Sequence, residues 1–128
     1  IMLENVEEFE DWGPLLLNDS GSYSPCPERK GHTFRRWVTQ LQRLGYVIEW
    51  RTLRACDYGA PTIRKRLFII ARRDGQPIIW PTPTHADPRS RSVARGTKQP
   101  WETAAGIIDW SLPAHSIFLT RQQARAVN

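Results

Sequence analysis

The clearest pattern along the chain is a short apolar strand preceded by a cluster of cations. Residues 67–71 are rich in β-branched and aromatic side chains, which predicts a strand with a buried face. Arg64 and Arg66 lie two residues apart at its beginning, and a strand that starts there directs both to one face. Paired guanidinium groups suit an anion or a planar hydrogen-bonding ligand, although cations beside a strand also discourage edge pairing.

Helical periodicity precedes this strand. Residues 34–44 predict a helix that is capped by Thr33 and ended by Gly45. Its apolar stripe consists of Phe34, Trp37, Val38, Leu41 and Leu44. Residues 46–55 alternate as a strand, and the short loop 56–61 predicts that this strand pairs antiparallel with the apolar strand described above.

The first residues of the chain predict the end of another strand. Residues 1–3 are apolar, as at the end of a buried strand, and Glu4 and Asn5 follow them. Ligands of open α/β sheets bind beyond the carboxyl ends of strands, so Glu4 is a candidate functional carboxylate. A solvated or helix-capping Glu is the alternative, because further acids follow closely. Residues 7–17 predict a short helical turn and residues 18–31 a loop.

The pattern changes after residue 74. Residues 88–100 are rich in Arg and Ser without periodicity, which predicts a linker or a loop ordered only on binding. Arginines in such a loop suit a phosphate backbone. The candidates there are Arg89, Arg91 and Arg95, with Lys98 as a further cation. Residues 101–110 predict a short helix and residues 120–127 the start of another.

Composition and charge point to a polyanionic partner. The 128 residues make one domain or part of one, with 40% hydrophobic and 24% charged residues. Residues 1–33 carry seven acids against two bases, whereas the remainder carries sixteen bases against six acids. A basic body with an acidic corner suits a nucleic acid that contacts one side. Six Trp residues indicate a well-filled core or an aromatic surface for a partner.

The cysteines and histidines support no metal or disulfide site. The two Cys have no repeated spacing, and the three His are scattered. Cys26 lies between two prolines, but a free thiol in a loop is a better interpretation than a nucleophile because only His32 is near. No signal peptide and no apolar run of membrane-spanning length is evident, so the cytoplasm is the expected location.

Two motifs give the chain a family resemblance. Residues 3–6 (Leu-Glu-Asn-Val) resemble the Glu-Asn-Val motif of DNA cytosine-C5 methyltransferases. Residues 58–69 resemble the Gln-x-Arg-x-Arg motif of the same family with its aromatic-Gly-x-Pro lead-in, although Thr62 stands where the family has Gln. The order and the spacing also match. The resemblance covers residues 1–74, and a weaker similarity extends through residues 101–109.

The resemblance implies the C-terminal half of a doubly wound, Rossmann-like α/β sheet that ends in an antiparallel strand pair. Residues 1–74 would be a partial catalytic domain, and residues 75–128 a linker and the start of the target-recognition region. The parent enzyme would methylate C5 of cytosine in double-stranded DNA with S-adenosyl-L-methionine, by thiolate addition to a flipped base. The family's Gly-rich cofactor loop and Pro-Cys nucleophile lie upstream of Glu-Asn-Val. Both ends of the chain look cut, the cofactor-binding residues stay unassigned, and the fragment alone is expected to be inactive.

The resemblance also implies residue roles. Glu4 would hydrogen-bond or protonate N3 of the base, and Asn5 would fix the loop at the substrate. Arg66 would bind the O2 edge, and Arg64 would brace the site or the adjoining phosphate. Cys26 follows Glu4, which is the wrong order for the nucleophile. Relatives that modify RNA share these motifs, so the nucleic acid stays open. The alternatives are a non-catalytic nucleic-acid-binding module of the same fold and an unrelated α/β protein.

Overall fold

A computed structural model describes residues 1–112 of the chain and shows a mixed α/β structure. Its strands and helices are β1 (Met2–Asn5), β2 (Leu15–Leu17), β3 (Tyr23–Pro25), α1 (His32–Arg43), β4 (Val47–Arg54), β5 (Lys65–Arg72), β6 (His85–Ala86), α2 (Arg91–Ala94) and β7 (Gln99–Pro100). The main sheet has the strand order β1-β5-β4. Strand β5 is antiparallel to both neighbours, so β1 and β4 run parallel to each other. The antiparallel pairing expected from the short loop before β5 is confirmed.

Strand β5 supplies the centre of the core because its side chains alternate between the two faces of the sheet. Leu67, Ile69 and Ala71 are buried against α1, and Phe34 and Val38 of α1 with Ile48 of β4 complete the cluster. The alternate positions of β5 lie on the opposite face, which α1 does not cover. Consequently, one sheet face holds the core and the other remains accessible.

Helix α1 lies where its apolar stripe predicts, but its start differs from the expected Thr33 cap. Gly31, with a φ of 71°, occupies the capping position. The carbonyl of Trp12 accepts the backbone N–H of both Thr33 and Phe34 at 3.0 Å. A carbonyl from the preceding segment therefore satisfies the N–H groups that a hydroxyl was expected to cap. Gly45, with a φ of 86°, follows the helix end as predicted.

The segment before α1 differs from the sequence-based expectation. The 3-10 helix Glu7–Asp11 ends before Gly13, and β2 then pairs with β3 inside the region expected to be a loop. The three consecutive Leu of β2 are all exposed, so they carry no one-sided pattern that predicts a strand. The expectation of a buried first strand was also wrong, because Met2 of β1 is 73% exposed.

The C-terminal part of the described chain is more ordered than its composition indicates. Ser90 caps α2 by accepting the N–H of Val93 at 3.4 Å, and β6 pairs with β7 in parallel. The expectation of an irregular loop over residues 88–100 was therefore wrong, because tertiary contacts of this segment override its composition. The helix expected over residues 101–110 is only the 3-10 turn Ala104–Gly106. The helix expected over residues 120–127 lies outside the described residues.

Within residues 1–112, no helix combines the length and the apolar character that crossing a membrane requires.

Removal of the side chain at the centre of β5 tests this core. Leu67 is 0% exposed, so Leu67→Ala should lower the free energy of unfolding by about 2–5 kcal/mol. Ile63, two residues before the strand, is 77% exposed, and Ile63→Ala should change the free energy of unfolding by less than about 0.5 kcal/mol. Urea unfolding monitored by circular dichroism measures both. Equal losses would contradict the placement of Leu67 in the core.

The end of β5 carries an ion pair that predicts a pH dependence. Arg72 donates to the Asp74 carboxylate from Nε at 2.9 Å, and this pairing lowers the pKa of Asp74 from 3.8 to about 2. The folded pKa lies below the unfolded one, so the stabilisation is present above pH 3.8 and is lost as the pH falls towards 2. An NMR titration should give an Asp74 midpoint near 2 in the wild-type chain and in Arg73→Gln. In Arg72→Gln the midpoint should rise towards 3.8, held somewhat below it by the backbone N–H of Gln76, which also lowers the pKa of Asp74. An unchanged midpoint in Arg72→Gln would refute the pairing.

Candidate functional site

A cleft of about 410 Å³ lies on the sheet face opposite α1. Side-chain alternation explains its lining, because residues of β1, β5 and β4 that sit beside one another in the register share a face. Its apolar floor includes Met2, Leu53, Phe68 and Ile70. Its charged lining residues are Glu4, Arg64 and Arg66, together with Arg54 at the end of β4, which the alternation alone would place on the other face.

Strand register brings Glu4 and Arg66 together. Glu4 lies opposite Phe68, so Arg66 is its diagonal neighbour on the same face of the sheet. Glu4 Oε1 lies 3.7 Å from Arg66 Nε. The Arg66 side chain is 24% exposed and the Glu4 side chain 56% exposed. The pair thus lies at the edge of the cleft, and the Arg66 side chain is the more buried of the two.

Hydrogen bonds with the backbone hold both arginines of the motif, Arg64 just before β5 and Arg66 within it. Arg66 Nη1 donates to the carbonyl of Lys65 at 2.7 Å. The carbonyl of Arg64 accepts the N–H of Ala55 at 2.9 Å, which closes the turn between β4 and β5. The N–H of Arg64 donates to Thr62 Oγ1 at 3.3 Å. Thr62, which replaces the Gln of the motif, therefore serves the local backbone.

The other candidate substrate-binding residues lie apart from the cleft. Asn5 faces the core side of the sheet in the register, and its Oδ1 accepts the N–H of Val6 at 2.8 Å, which fixes the chain after β1. Arg89, Arg91 and Arg95 are exposed and do not line the cleft. Arg89 lies 3.6 Å from the Asp87 carboxylate.

Neither of the two thiols lines the cleft. Cys26 is buried beside the 3-10 helix Pro27–Arg29, and a hydrogen bond from the Arg29 side chain lowers the pKa of this thiol. Cys56 is 1% exposed and borders a different cavity. The cleft therefore holds no nucleophilic sulfur from the described residues.

Trp80 forms one wall of the cleft, and the sequence patterns did not single it out. Its Nε1–H donates to Glu49 Oε2 at 2.6 Å. The Arg51 guanidinium lies 4.9 Å from the centre of its ring. Both partners belong to β4, so these contacts hold the segment after β5 against the accessible face of the sheet.

Trp101 makes the same kind of contact at the end of β4. Its Nε1–H donates to Asp57 Oδ1 at 2.9 Å, and the Arg54 guanidinium lies 5.4 Å from its ring centre. The carbonyl of Asp57 also accepts the N–H of Thr84 at 2.9 Å. The high Trp content was the available signal, but partners so distant along the chain cannot be assigned from sequence.

The turn that leads to the two arginines is held by a close contact with His85. Gly59 has a φ of 89°, and a Cβ placed on it would lie 2.9 Å from His85 Cε1. Gly59 is therefore required both for its backbone conformation and for the approach of the His85 ring. The segment 84–101 thus supports the turn that positions Arg64 and Arg66.

Comparison with known proteins identifies the family to which this chain belongs. The family model of C-5 cytosine-specific DNA methylases matches residues 26–109. The chain is 37% identical over 81 residues to the type II methyltransferase M.SacI of Streptomyces achromogenes, across 59% of this chain and 21% of M.SacI. It is 36% identical over 88 residues to the type II methyltransferase M.AgeI of Thalassovita gelatinovora, across 69% of this chain and 20% of M.AgeI.

A plant protein shows the same similarity. The DNA (cytosine-5)-methyltransferase 1A of Oryza sativa subsp. japonica is 40% identical over 85 residues, which are 66% of this chain and 4% of that protein. No solved structure matches the chain. The chain belongs to the C-5 cytosine-specific DNA methylase family, which confirms the motif-based assignment. It spans about a fifth of the length of the bacterial relatives. The family in general uses S-adenosyl-L-methionine.

A glycine comparison tests the support of the turn. Gly75→Ala should cost about 1–2 kcal/mol for its positive φ alone, because no atom lies within contact distance there. Gly59→Ala should cost about 1–3 kcal/mol more, since the new methyl group meets His85. Urea unfolding measures the loss of stability in both variants. When His85→Ala is combined with Gly59→Ala, the additional loss caused by the methyl group should disappear. Equal costs at the two glycines would show that His85 does not pack on the turn.

Proposed function

We propose that the chain is the C-terminal part of the catalytic domain of an enzyme that methylates C5 of cytosine in double-stranded DNA. Residues 1–74 would complete a doubly wound sheet, and residues 75–128 would lead into the target-recognition region. The Glu4–Arg66 pair at the edge of one cleft is the observation that carries the proposal. The type II methyltransferase relatives support a restriction-modification enzyme of a bacterial or phage cytoplasm.

The cleft suits a pyrimidine removed from the duplex. Its volume of about 410 Å³ lies in the range of small-molecule pockets, and Phe68 and Ile70 offer an apolar surface. The separation of 3.7 Å between Glu4 and Arg66 exceeds hydrogen-bond length. Both groups therefore keep donors and acceptors for the edge of a base.

Each group of the pair has a distinct role in this proposal. A thiolate that adds to C6 of cytosine pushes electron density towards N3 and O2. The Glu4 carboxyl group hydrogen-bonds or protonates N3, and the Arg66 guanidinium binds O2, so both stabilise the charge that develops. Arg64 lines the same cleft and braces the site, while Asn5 holds the chain that follows β1.

The described residues do not fit the methyl donor. S-adenosyl-L-methionine carries a sulfonium, an ammonium and a carboxylate group and is positive overall, whereas Arg54, Arg64 and Arg66 line the cleft beside one carboxylate, Glu4. Three cations near one acid disfavour a ligand with two positive groups. Neither Cys26 nor Cys56 lines the cleft. The methyl-donor pocket and the nucleophile are therefore assigned outside this cleft.

Substitution of the carboxylate tests the proposal in the product of the complete reading frame that encodes this chain. Glu4→Gln should slow methyl transfer by about 10²–10⁴-fold, because the amide cannot protonate N3. Glu8→Gln, at an exposed position of the same acidic segment, should retain the full rate. Transfer of tritiated methyl groups to duplex DNA, followed by identification of 5-methylcytosine, measures the rates. A fully active Glu4→Gln enzyme would refute the role of this carboxylate.

The isolated 128-residue chain serves as the control for missing parts. It should form no methylcytosine with duplex DNA and methyl donor, because its cleft has no thiol. A parallel assay on RNA separates the two nucleic-acid substrates. Upstream of this chain, a Gly-rich loop and a Pro-Cys pair should occur within roughly one domain length, about a hundred residues.

A further inference from the structure

We propose that a groove at the junction of β4 and β5 binds a phosphate of the DNA backbone. The groove has a volume of about 250 Å³ and is lined by Thr52, Arg54, Asp57 and Lys65. This inference rests on the proposed function, since it concerns the backbone of the DNA whose base enters the cleft. The principal phosphate contact is then this groove and not the exposed arginines at positions 89, 91 and 95.

Two cations of the groove face each other, and a single carboxylate lines the groove with them. Arg54 of β4 lies directly opposite Lys65 of β5 in the strand register. Like charges in that arrangement repel, so the pair destabilises the sheet unless an anion joins it. The ion pairs found within residues 1–112 include neither of the two side chains. Asp57 also lines the groove, but its Oδ1 already accepts the N–H of Trp101.

Arg54 is held in place before any ligand arrives. Its guanidinium lies 5.4 Å from the ring centre of Trp101, and Trp101 is itself fixed by Asp57. A planar guanidinium held by stacking loses little freedom when it binds phosphate oxygens. The exposed Thr52 hydroxyl offers a further donor of the kind that contacts phosphates. The groove thus combines charge, fixed geometry and a neutral donor.

The groove and the cleft share one residue at the end of β4, although the register places Lys65 and Thr52 of the groove on the Leu67 side of the sheet and Arg66 of the cleft on the other. Arg54 lines both cavities. In a polynucleotide each base is joined to the backbone through a sugar, so a strand whose base enters the cleft also carries phosphates past the end of β4, where the groove lies. Arg89, Arg91 and Arg95 line neither cavity. The DNA substrate of the proposed function therefore favours a phosphate of the polynucleotide over a free anion.

Salt-dependent DNA binding by the 128-residue chain tests the groove. Fluorescence anisotropy with a labelled duplex gives the affinity at several salt concentrations. Arg54→Gln and Lys65→Gln should each lower the salt slope by about 0.9 and weaken binding about tenfold near 50 mM salt. Arg36→Gln and Arg43→Gln make the same charge change on the exposed side of α1 and should have far smaller effects.

The double variant distinguishes a shared phosphate from general charge. If Arg54 and Lys65 hold one phosphate, the double variant should lose less affinity than the sum of the two single losses. Effects at Arg36 and Arg43 equal to those at Arg54 and Lys65 would overturn the proposal. So would groove variants that keep the wild-type slope while substitution of the arginines at 89, 91 and 95 abolishes it.

A titration with inorganic phosphate separates the two sources of the ligand. Weak phosphate binding together with reduced duplex affinity in the groove variants supports a backbone contact. Loss of inorganic phosphate binding in variants that retain full duplex affinity would overturn the proposal and define a free-phosphate site. Lys65→Gln makes the decisive comparison, because Lys65 does not support Trp101. Thermal melting of every variant identifies any loss of fold.

The two proposals can fail independently. Full methylation by Glu4→Gln would remove the catalytic role of the cleft but would leave the salt slopes of the groove variants unchanged. Unaltered salt slopes in Arg54→Gln and Lys65→Gln would refute phosphate binding in the groove. A slowed Glu4→Gln enzyme would still support the catalytic role of the cleft in that case. Arg54→Lys adds a geometric control, since it retains charge but loses the planar group over Trp101; it should bind DNA with an intermediate affinity.

Discussion

The central position of β5 is the constraint on which the site depends. This strand pairs with β1 on one side and β4 on the other, so a single alternation of side chains sets both faces. Leu67 and Ile69 fill the core beneath α1, and the residues between and before them are directed to the cleft. Burial of the apolar set fixes Arg66 beside Glu4, because neither can change face without exposing the core.

The segment after β5 depends on aromatic contacts rather than on regular structure. Trp80 and Trp101 each join an indole N–H to a carboxylate and lie beneath an arginine from β4. Such partly buried, charge-assisted contacts hold a chain whose composition alone predicts disorder. The consequence is that the cleft wall and the support of the arginine turn come from one contiguous segment.

Local patterns predicted most of the fold, whereas contacts between distant segments were not predictable. The stripe of α1 and the alternation of β5 identified both elements because each buries one face. The placement of β1 beside β5 was not foreseen, since strand neighbours far apart in sequence leave no local pattern. Motif similarity indicated that Glu4 and Arg66 share a site, and the register explains their proximity. Sequence patterns did not identify Arg54 and Trp101, because these two residues come into contact only in the folded chain.

The closure of the turn between β4 and β5 has a consequence for how this family can vary. The hydrogen bond from Ala55 to Arg64 sets the phase in which β5 enters the sheet. A single inserted or deleted residue there would invert the strand, sending guanidinium groups towards the core and leucine towards water. Length changes should therefore accumulate in the β2–β3 hairpin, which lies outside the main sheet, and be excluded from this turn during evolution.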